Sequence, residues 1–470
     1  MHQYEFNLAC KGRLGCGCLE VVTVTRTLAP CSADLRLSDA LSASAREEFW
    51  ARPGTTKSAG ARTTPFQYPA MMVSEMQGTL LKAVRQTRPG TPLTYDPFVG
   101  SGATMVEAMR LGLPYAGSDI NPLAILIAKV RSAEAASPRL FEVIDRVCAA
   151  ALALRTEVSP PNEQWCQRWF REDVALDLAA LRAAISSESR VVTRRLLWIA
   201  LAEVVRLCGN FRISTPKLQS RPAPDLLREI DAIERFRRSA EGSARQARTF
   251  AKELSQAEVG KRGKYLPGLT LSLGDSRVVD PVGERLADIV LASPPYGDNR
   301  TTMPYGQACY LPLKWIDTAD IGESIQPGLL DAIGTLDTRS LGGSRRYDAA
   351  LLGEAVERSP ALAGVLAKEL TPDGRKRVSS FFADLDGAIA AILDRCVSDA
   401  HIVLTLGDRT VSGYEVPTTQ VIEDLFASRG TKVLTRIRRP LPRQKRLALK
   451  NQYASTIRIE TVLVMRRSGS

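Results

Sequence analysis

Apolar and polar residues alternate at helical spacing over 69–84, and a Thr/Pro/Gly break over 87–92 closes that segment. A short apolar run at 93–98 then reads as a strand. It is followed by a glycine turn, a helical pattern over 103–111, and a second strand, Tyr115–Asp119, entered through Gly112-Leu113-Pro114. Strand, glycine turn, helix and strand within about 30 residues is the pattern of a doubly wound parallel sheet. Over 133–262 strand signals vanish and helical periodicity dominates. The sheet rhythm returns at Leu269–Leu273 and at 288–292. A second irregular stretch, 317–379, is rich in Gly, Asp and Arg. Beyond it a helix is expected over 381–396 and a strand over 401–406, with strands at 432–438 and 456–465 closing the sheet as an antiparallel pair.

The expected fold is therefore α/β, a Rossmann-like sheet assembled from residues 56–132, 263–316 and 380–470. A helical insertion (133–262) and a smaller one (317–379) interrupt it. Residues 1–55 have weak periodicity and stand as an N-terminal extension with no assigned role.

A chain of 470 residues has room for more than one compact unit, and 44% apolar with 24% charged residues excludes a chain disordered throughout. Lys+Arg of 63 against Asp+Glu of 51 gives a net charge of +12, which suits a partner carrying phosphates. With His2 and His401 the only histidines, a His-rich metal site has too few ligands, so no metal is expected. The nine cysteines form no paired CxxC blocks, which points to a reducing cytoplasm rather than a disulfide framework. No apolar run reaches the roughly 18 residues of a membrane span. The expectation is a cytoplasmic protein with no membrane partner.

Two constellations carry candidate chemistry. Asp96-Pro97-Phe98-Val99-Gly100-Ser101-Gly102-Ala103-Thr104 places two glycines after a strand, where the backbone must turn tightly and approach a ligand. Asp119 ends the next strand, where a carboxylate accepts hydrogen bonds from ribose hydroxyls. A dinucleotide site is the rival reading, but Met105 stands where its third glycine would be. A carboxylate at Asp96 repels pyrophosphate and pairs with a sulfonium or ammonium, which favours S-adenosylmethionine. The second constellation is the run 288–292 leading into Ser293-Pro294-Pro295-Tyr296. Two prolines stiffen the loop and remove two N–H groups. A hydroxyl, an accepting carbonyl and an aromatic face then suit a planar heterocycle with an exocyclic amine.

Taken together, these motifs resemble the amino-group DNA methyltransferases of the S-P-P-Y type, mostly cytosine-N4 enzymes of bacterial restriction–modification systems. The likeness spans most of 65–467. Asp96, Phe98, Gly100, Ser101, Gly102 and Thr104 match the family's cofactor motif, and Gly117-Ser118-Asp119-Ile120-Asn121-Pro122 its ribose-binding segment. Gly274-Asp275-Ser276 matches the adenine-binding segment. Phe66-Gln67-Tyr68-Pro69-Ala70-Met71-Met72 matches the motif near the methionine end. The resemblance implies S-adenosylmethionine as cofactor, held by Tyr68, Pro69, Asp96, Phe98, Gly100, Ser101, Gly102, Thr104, Asp119, Ile120, Asp275 and Ser276. It implies catalysis by Ser293, Pro294, Pro295 and Tyr296, with Tyr296 stacked on a flipped cytosine in double-stranded DNA. A cognate restriction endonuclease is an implied partner. Asn210-Phe211-Arg212 to Lys217-Leu218 matches a family motif only loosely.

Seven basic residues and no acid lie between 436 and 450, so Arg436, Arg438, Arg439, Arg443, Arg446, Lys445 and Lys450 are expected on DNA phosphates. The two insertions are both candidate DNA-recognition regions. Trp165, Trp169 and Phe170 are expected in the core, as is Cys309. Three other readings share parts of this pattern: a DNA adenine-N6 enzyme of the same fold, an RNA guanine-N2 methyltransferase, and a non-catalytic DNA-binding component.

Overall fold

The computed structural model describes residues 5–8, 22–26, 32–44, 66–69, 71–215, 217–298, 301–344, 346–441 and 457–468. Among the described residues nine strands form the main sheet: β1 (Glu5–Leu8), β2 (Val22–Arg26), β3 (Thr94–Asp96), β4 (Tyr115–Asp119), β5 (Leu269–Leu273), β6 (Ala287–Ala292), β7 (Cys396–Gly407), β8 (Thr431–Pro440) and β9 (Ile459–Arg467). Their spatial order is β1-β2-β8-β9-β7-β6-β3-β4-β5. The pairs β4/β5, β3/β4, β3/β6 and β6/β7 are parallel. The pairs β7/β9, β8/β9, β2/β8 and β1/β2 are antiparallel. This is the Rossmann-like α/β sheet read from the chain, with the closing antiparallel pair where it was expected.

Residues of the central strands alternate between two apolar layers, as the twofold repeat of a strand requires. Tyr95, Val290, Ala292, Ile402 and Leu404 pack on one side, against the helices Pro372–Asp394 and Thr418–Ala427. Ile289, Leu291 and Val403 pack on the other, against Ser74–Gln86 and Ala103–Arg110. β3 is flanked by β4 on one side and β6 on the other, so the chain reverses its direction of travel across the sheet there. Such a switch point opens a crevice at the carboxyl ends of the strands.

Four differences from the pattern stand out. The helix expected over 381–396 begins earlier, at Pro372, because the Thr371 side chain caps the Gly374 N–H and Pro372 takes the first turn. The preceding stretch is itself helical in part, at Ala349–Arg358 and Pro360–Leu366. The N-terminal extension is part of the sheet: β2 pairs with β8, and the helix Ser32–Ser44 buries Leu37 and Leu41. Finally, the helical insertion does not stand apart. Its helices Leu140–Leu154, Glu172–Ser186, Val191–Cys208 and Ala232–Gln256 share one apolar cluster with Pro122–Arg131 and Tyr305–Trp315. Trp169 and Phe170 are buried in it, and Trp165 meets Trp315 edge to face at 5.6 Å. Among the described residues no helix is long and apolar enough to cross a membrane, and no group of His, Cys, Asp and Glu could hold a metal ion.

Candidate active site

The glycine turn leaves β3 at Asp96, whose carboxylate is fully buried. Its Oδ1 accepts the Phe98 N–H at 2.9 Å. Its Oδ2 makes no hydrogen bond of good geometry, although the Thr104 and Tyr115 hydroxyls lie near it. Burial raises the Asp96 pKa to about 7, opposed by the Phe98 N–H. Gly100 and Gly102 have φ of +52° and +73°, a left-handed backbone that would strain any side chain. The second starts the helix Ala103–Arg110. Ser101 and Thr104 are buried under the turn, and the Ser101 carbonyl accepts from Arg131. Phe98 is half-buried against the neighbouring apolar layer.

Asp119, at the end of β4, braces this turn. Its Oδ2 accepts the Gly100 N–H at 2.8 Å and its Oδ1 the Asn121 N–H at 2.8 Å. Burial raises its pKa to about 6, and those two N–H groups oppose the rise. Each oxygen keeps a further lone pair for a ligand hydroxyl. Beside it Ile120 is half-buried. The Asn121 side chain caps the helix Pro122–Arg131 through the Leu123 N–H, and donates to the Tyr68 hydroxyl at 3.0 Å and to Cys309 Sγ at 3.2 Å. Tyr68 stacks on Tyr305 with ring centroids 5.6 Å apart, and Pro69 is half-buried in the turn that follows it. The segment read as the methionine-end motif therefore does lie beside the glycine turn. Asn121, matched in the sequence as part of the ribose-binding segment, and Tyr305 complete this corner.

β5 reaches the same edge, with the Gly274 N–H on the Asp119 carbonyl at 2.9 Å. Ser276 is buried, but the Asp275 carboxylate is already held by Arg277, at 2.6 Å to Nη2. Arg277 also pairs with Asp384. Asp275 is thus placed near the cofactor edge with its charge neutralised from within the chain.

The loop after β6 continues the β6/β7 register. Ala292 pairs with Leu404, and the next residue, Ser293, has its Oγ 3.2 Å from the Thr405 carbonyl and 3.3 Å from the Tyr296 hydroxyl. Pro294 is buried and Pro295 half-buried. The Tyr296 hydroxyl donates to Glu460 Oε1 at 3.3 Å, and burial pushes its pKa well above that of a free tyrosine, so it stays neutral. Its ring lies on Gly407, where a Cβ would come within 2.8 Å of it. Behind the loop, the buried Asp298 pairs with the buried Arg409 at 3.2 Å and accepts the Thr301 hydroxyl at 2.6 Å. Glu460 and Arg409 were not singled out in the sequence. The signal available for Glu460 was an acid just ahead of the apolar run Val462-Leu463-Val464-Met465.

The basic stretch divides. Arg436 is forked onto Glu423 and Arg439 onto Glu460, and Arg439 is 5% exposed. Both are already paired within the chain: Arg439, on the face of β8 shared with Ile437, meets its cross-strand neighbour Glu460, and Arg436, on the opposite face, meets Glu423 of the helix Thr418–Ala427. Arg438 alone of the described three is exposed. Arg443, Lys445, Arg446 and Lys450 lie outside the described residues.

No protein-family model matches the chain. It is 26% identical over 406 residues to the Type II methyltransferase M.MvaI of Kocuria varians, covering 83% of this chain and 86% of that protein. Among solved structures it is matched to the rRNA methyltransferase aviRa from Streptomyces viridochromogenes, at 12% identity and a TM-score of 0.30. That match covers 87% of this chain and 88% of that one. A second aviRa structure gives 11% identity and a TM-score of 0.32. Likeness this loose adds nothing to the strand order already described. The sequence relative and the site agree on one coarse activity, that of a methyltransferase.

Proposed function

We propose that this chain moves a methyl group from S-adenosylmethionine to the exocyclic N4 of a cytosine flipped out of double-stranded DNA. The site's chemistry fits that cofactor. The buried, poorly satisfied Asp96 Oδ2 suits a cationic group, and Asp119 keeps lone pairs for the ribose hydroxyls. The glycine turn leaves room for close approach, and Tyr68 covers the methionine end. The segment Gly274 to Ser276 would lie along the adenine. When bound, S-adenosylmethionine supplies an electrophilic methyl group. Everything else is done by the chain.

The observation that carries the reading is the state of Ser293. Among the described residues its hydroxyl meets only acceptors for its proton: the Thr405 carbonyl and the Tyr296 oxygen, whose own proton goes to Glu460. Its lone pairs are left to receive the hydrogens of an amine. With the Pro294 carbonyl it would draw the weakly nucleophilic N4 towards sp³ and aim its lone pair at the methyl group. Tyr296 would stack on the base, which must leave the duplex at a cost of a few kcal/mol. Positioning supplies much of the rate, and the proton departs after attack. Attack through a ring carbon would need a cysteine nucleophile, and the loop Ser293 to Asp298 contains none. Cys309 is buried with its thiol pushed up to about 12.

DNA phosphates are proposed to meet Arg438 and the basic residues of 443–450, with the solvent faces of 133–262 and 317–379 reading sequence. A cognate endonuclease belongs to the same proposal. The test is incubation with S-adenosylmethionine and mixed-sequence duplex DNA, with bulk RNA in parallel, followed by nucleoside mass spectrometry. N4-methylcytosine is expected. N6-methyladenine would overturn the cytosine assignment, and methylation of RNA alone would overturn the DNA assignment. Ser293→Ala should abolish transfer and leave cofactor affinity near normal, and a wild-type rate in it would remove the loop from catalysis.

A further inference from the structure

We infer that Glu460 is a positioning residue that fixes the direction of the hydrogen bonds running through Tyr296 to Ser293, and so keeps Ser293 an acceptor selective for an amine. The inference rests on the reading of Ser293 given above.

Three strands place the parts side by side. Glu460 on β9 is paired across one ladder with Gly407 of β7, on which the Tyr296 ring lies, and across the other with Arg439 of β8. Arg439 directs both its Nε and Nη2 at one oxygen, Oε2, with Nε at 2.9 Å. The other oxygen, Oε1, faces the Tyr296 hydroxyl. An ionised carboxylate has no proton to give, so the tyrosine must donate to it. The tyrosine oxygen then offers only lone pairs to Ser293. Whether Ser293 gives its proton to that oxygen or to the Thr405 carbonyl, no described residue donates to Ser293, and both its lone pairs remain for the base. A base amine can fill them, and a ring carbonyl cannot.

The arrangement also dictates what Glu460→Gln would do. Arg439 would hold the amide oxygen, turning the amide NH2 towards Tyr296. The tyrosine would then accept from the glutamine and donate to Ser293, occupying a lone pair the amine needs. The inverted chain is worse than no chain, which gives an unusual expectation: Tyr296→Phe should rescue Glu460→Gln. In the phenylalanine variant Ser293 still donates to Thr405 and keeps its lone pairs.

The experiment is single-turnover methyl transfer to duplex DNA by wild type, Glu460→Gln, Tyr296→Phe and the double variant, with cofactor affinity and thermal melting measured on each. Glu460→Gln should slow transfer by about tenfold or more with cofactor affinity unchanged, and the double variant should match Tyr296→Phe within about twofold. A double variant slower than both singles, by the product of their effects, would overturn the inference, as would a Glu460→Gln protein as fast as wild type. Tyr296→Phe is a second test that leaves 460 alone: it should slow transfer less than Glu460→Gln does, and a loss as complete as that of Ser293→Ala would overturn the inference, because the hydroxyl would then act on the base directly. Wild type that methylates no DNA base defeats the functional reading itself, whereas active wild type with independent losses defeats only the role given to Glu460.

Discussion

The glycine turn after β3 is braced from close by: Asp96 holds the N–H of Phe98 two residues on, Asp119 that of Asn121 two residues on, and Gly100 reaches Asp119 across nineteen. The loop after β6 is braced from far away. Ser293 leans on Thr405 across 112 residues, Asp298 meets Arg409 across 111, and Tyr296 meets Glu460 across 164. Both loops sit at the carboxyl ends of adjacent parallel strands. The glycine turn draws these bonds from residues within 96–121. The loop after β6 takes its shape from β7 and β9, so damage to distant strands should reach it and spare the turn.

The largest effect that would break this contrast is expected at Arg409. Replacing it with leucine strands the Asp298 carboxylate in a site with no solvent access, a loss of about 3–5 kcal/mol for a buried pair with one member removed. Denaturant unfolding measures it, and an unchanged midpoint would mean the loop does not depend on that pair. Gly407→Ala comes next. The new Cβ meets the Tyr296 ring at 2.8 Å, so transfer should fall on the order of a hundredfold while cofactor affinity holds. Equal losses in both would show that the two loops are mechanically one.

The cofactor side is sharpened by pH. Asp96 and Asp119 titrate near 7 and 6 because they are buried, whereas in the unfolded chain an aspartate titrates near 3.9. Without ligand the folded protein therefore holds protons the unfolded one has released. The stability these groups contribute is full below about pH 4 and is lost as pH rises towards 7. Binding of S-adenosylmethionine should run the other way, tightening from pH 5.5 to 8 as Asp96 ionises. Calorimetric titration against S-adenosylhomocysteine, which lacks the sulfonium charge, should show a shallower dependence. Equal slopes would take Asp96 away from the sulfonium. The smallest effect is expected at Arg438→Ala, which should leave stability and cofactor affinity alone and reduce the salt slope of DNA binding by about one unit.

The same contrast explains what the chain disclosed. Asp96, Gly100, Gly102 and Asp119 act through neighbours in sequence, so their spacing was readable, and β4 and β5 matched to the residue. Ser293 to Tyr296 was readable as a motif, but not its supports, since nothing local links Tyr296 to an acid on the last strand. Arg439 misled for the same reason. Counted along the chain it belongs to a basic run, and only the pairing of β8 with β9 shows that it faces Glu460. The N-terminal strands escaped notice because the partner that ties β2 to the sheet, β8, lies some four hundred positions away in the chain and a short edge strand has little pattern of its own.

The shared apolar cluster of the helical insertion has a consequence for modular exchange. Glu203, in the helix Val191–Cys208, reaches the Gln67 N–H at 3.4 Å, and Tyr68 belongs to the same cluster as Trp198 and Trp315. A graft that swapped residues 133–262 for those of a relative would strip packing partners from the segment 66–68, which lies beside the glycine turn. Cassette transplantation, which serves proteins whose parts are separate bodies, would here have to move that segment as well.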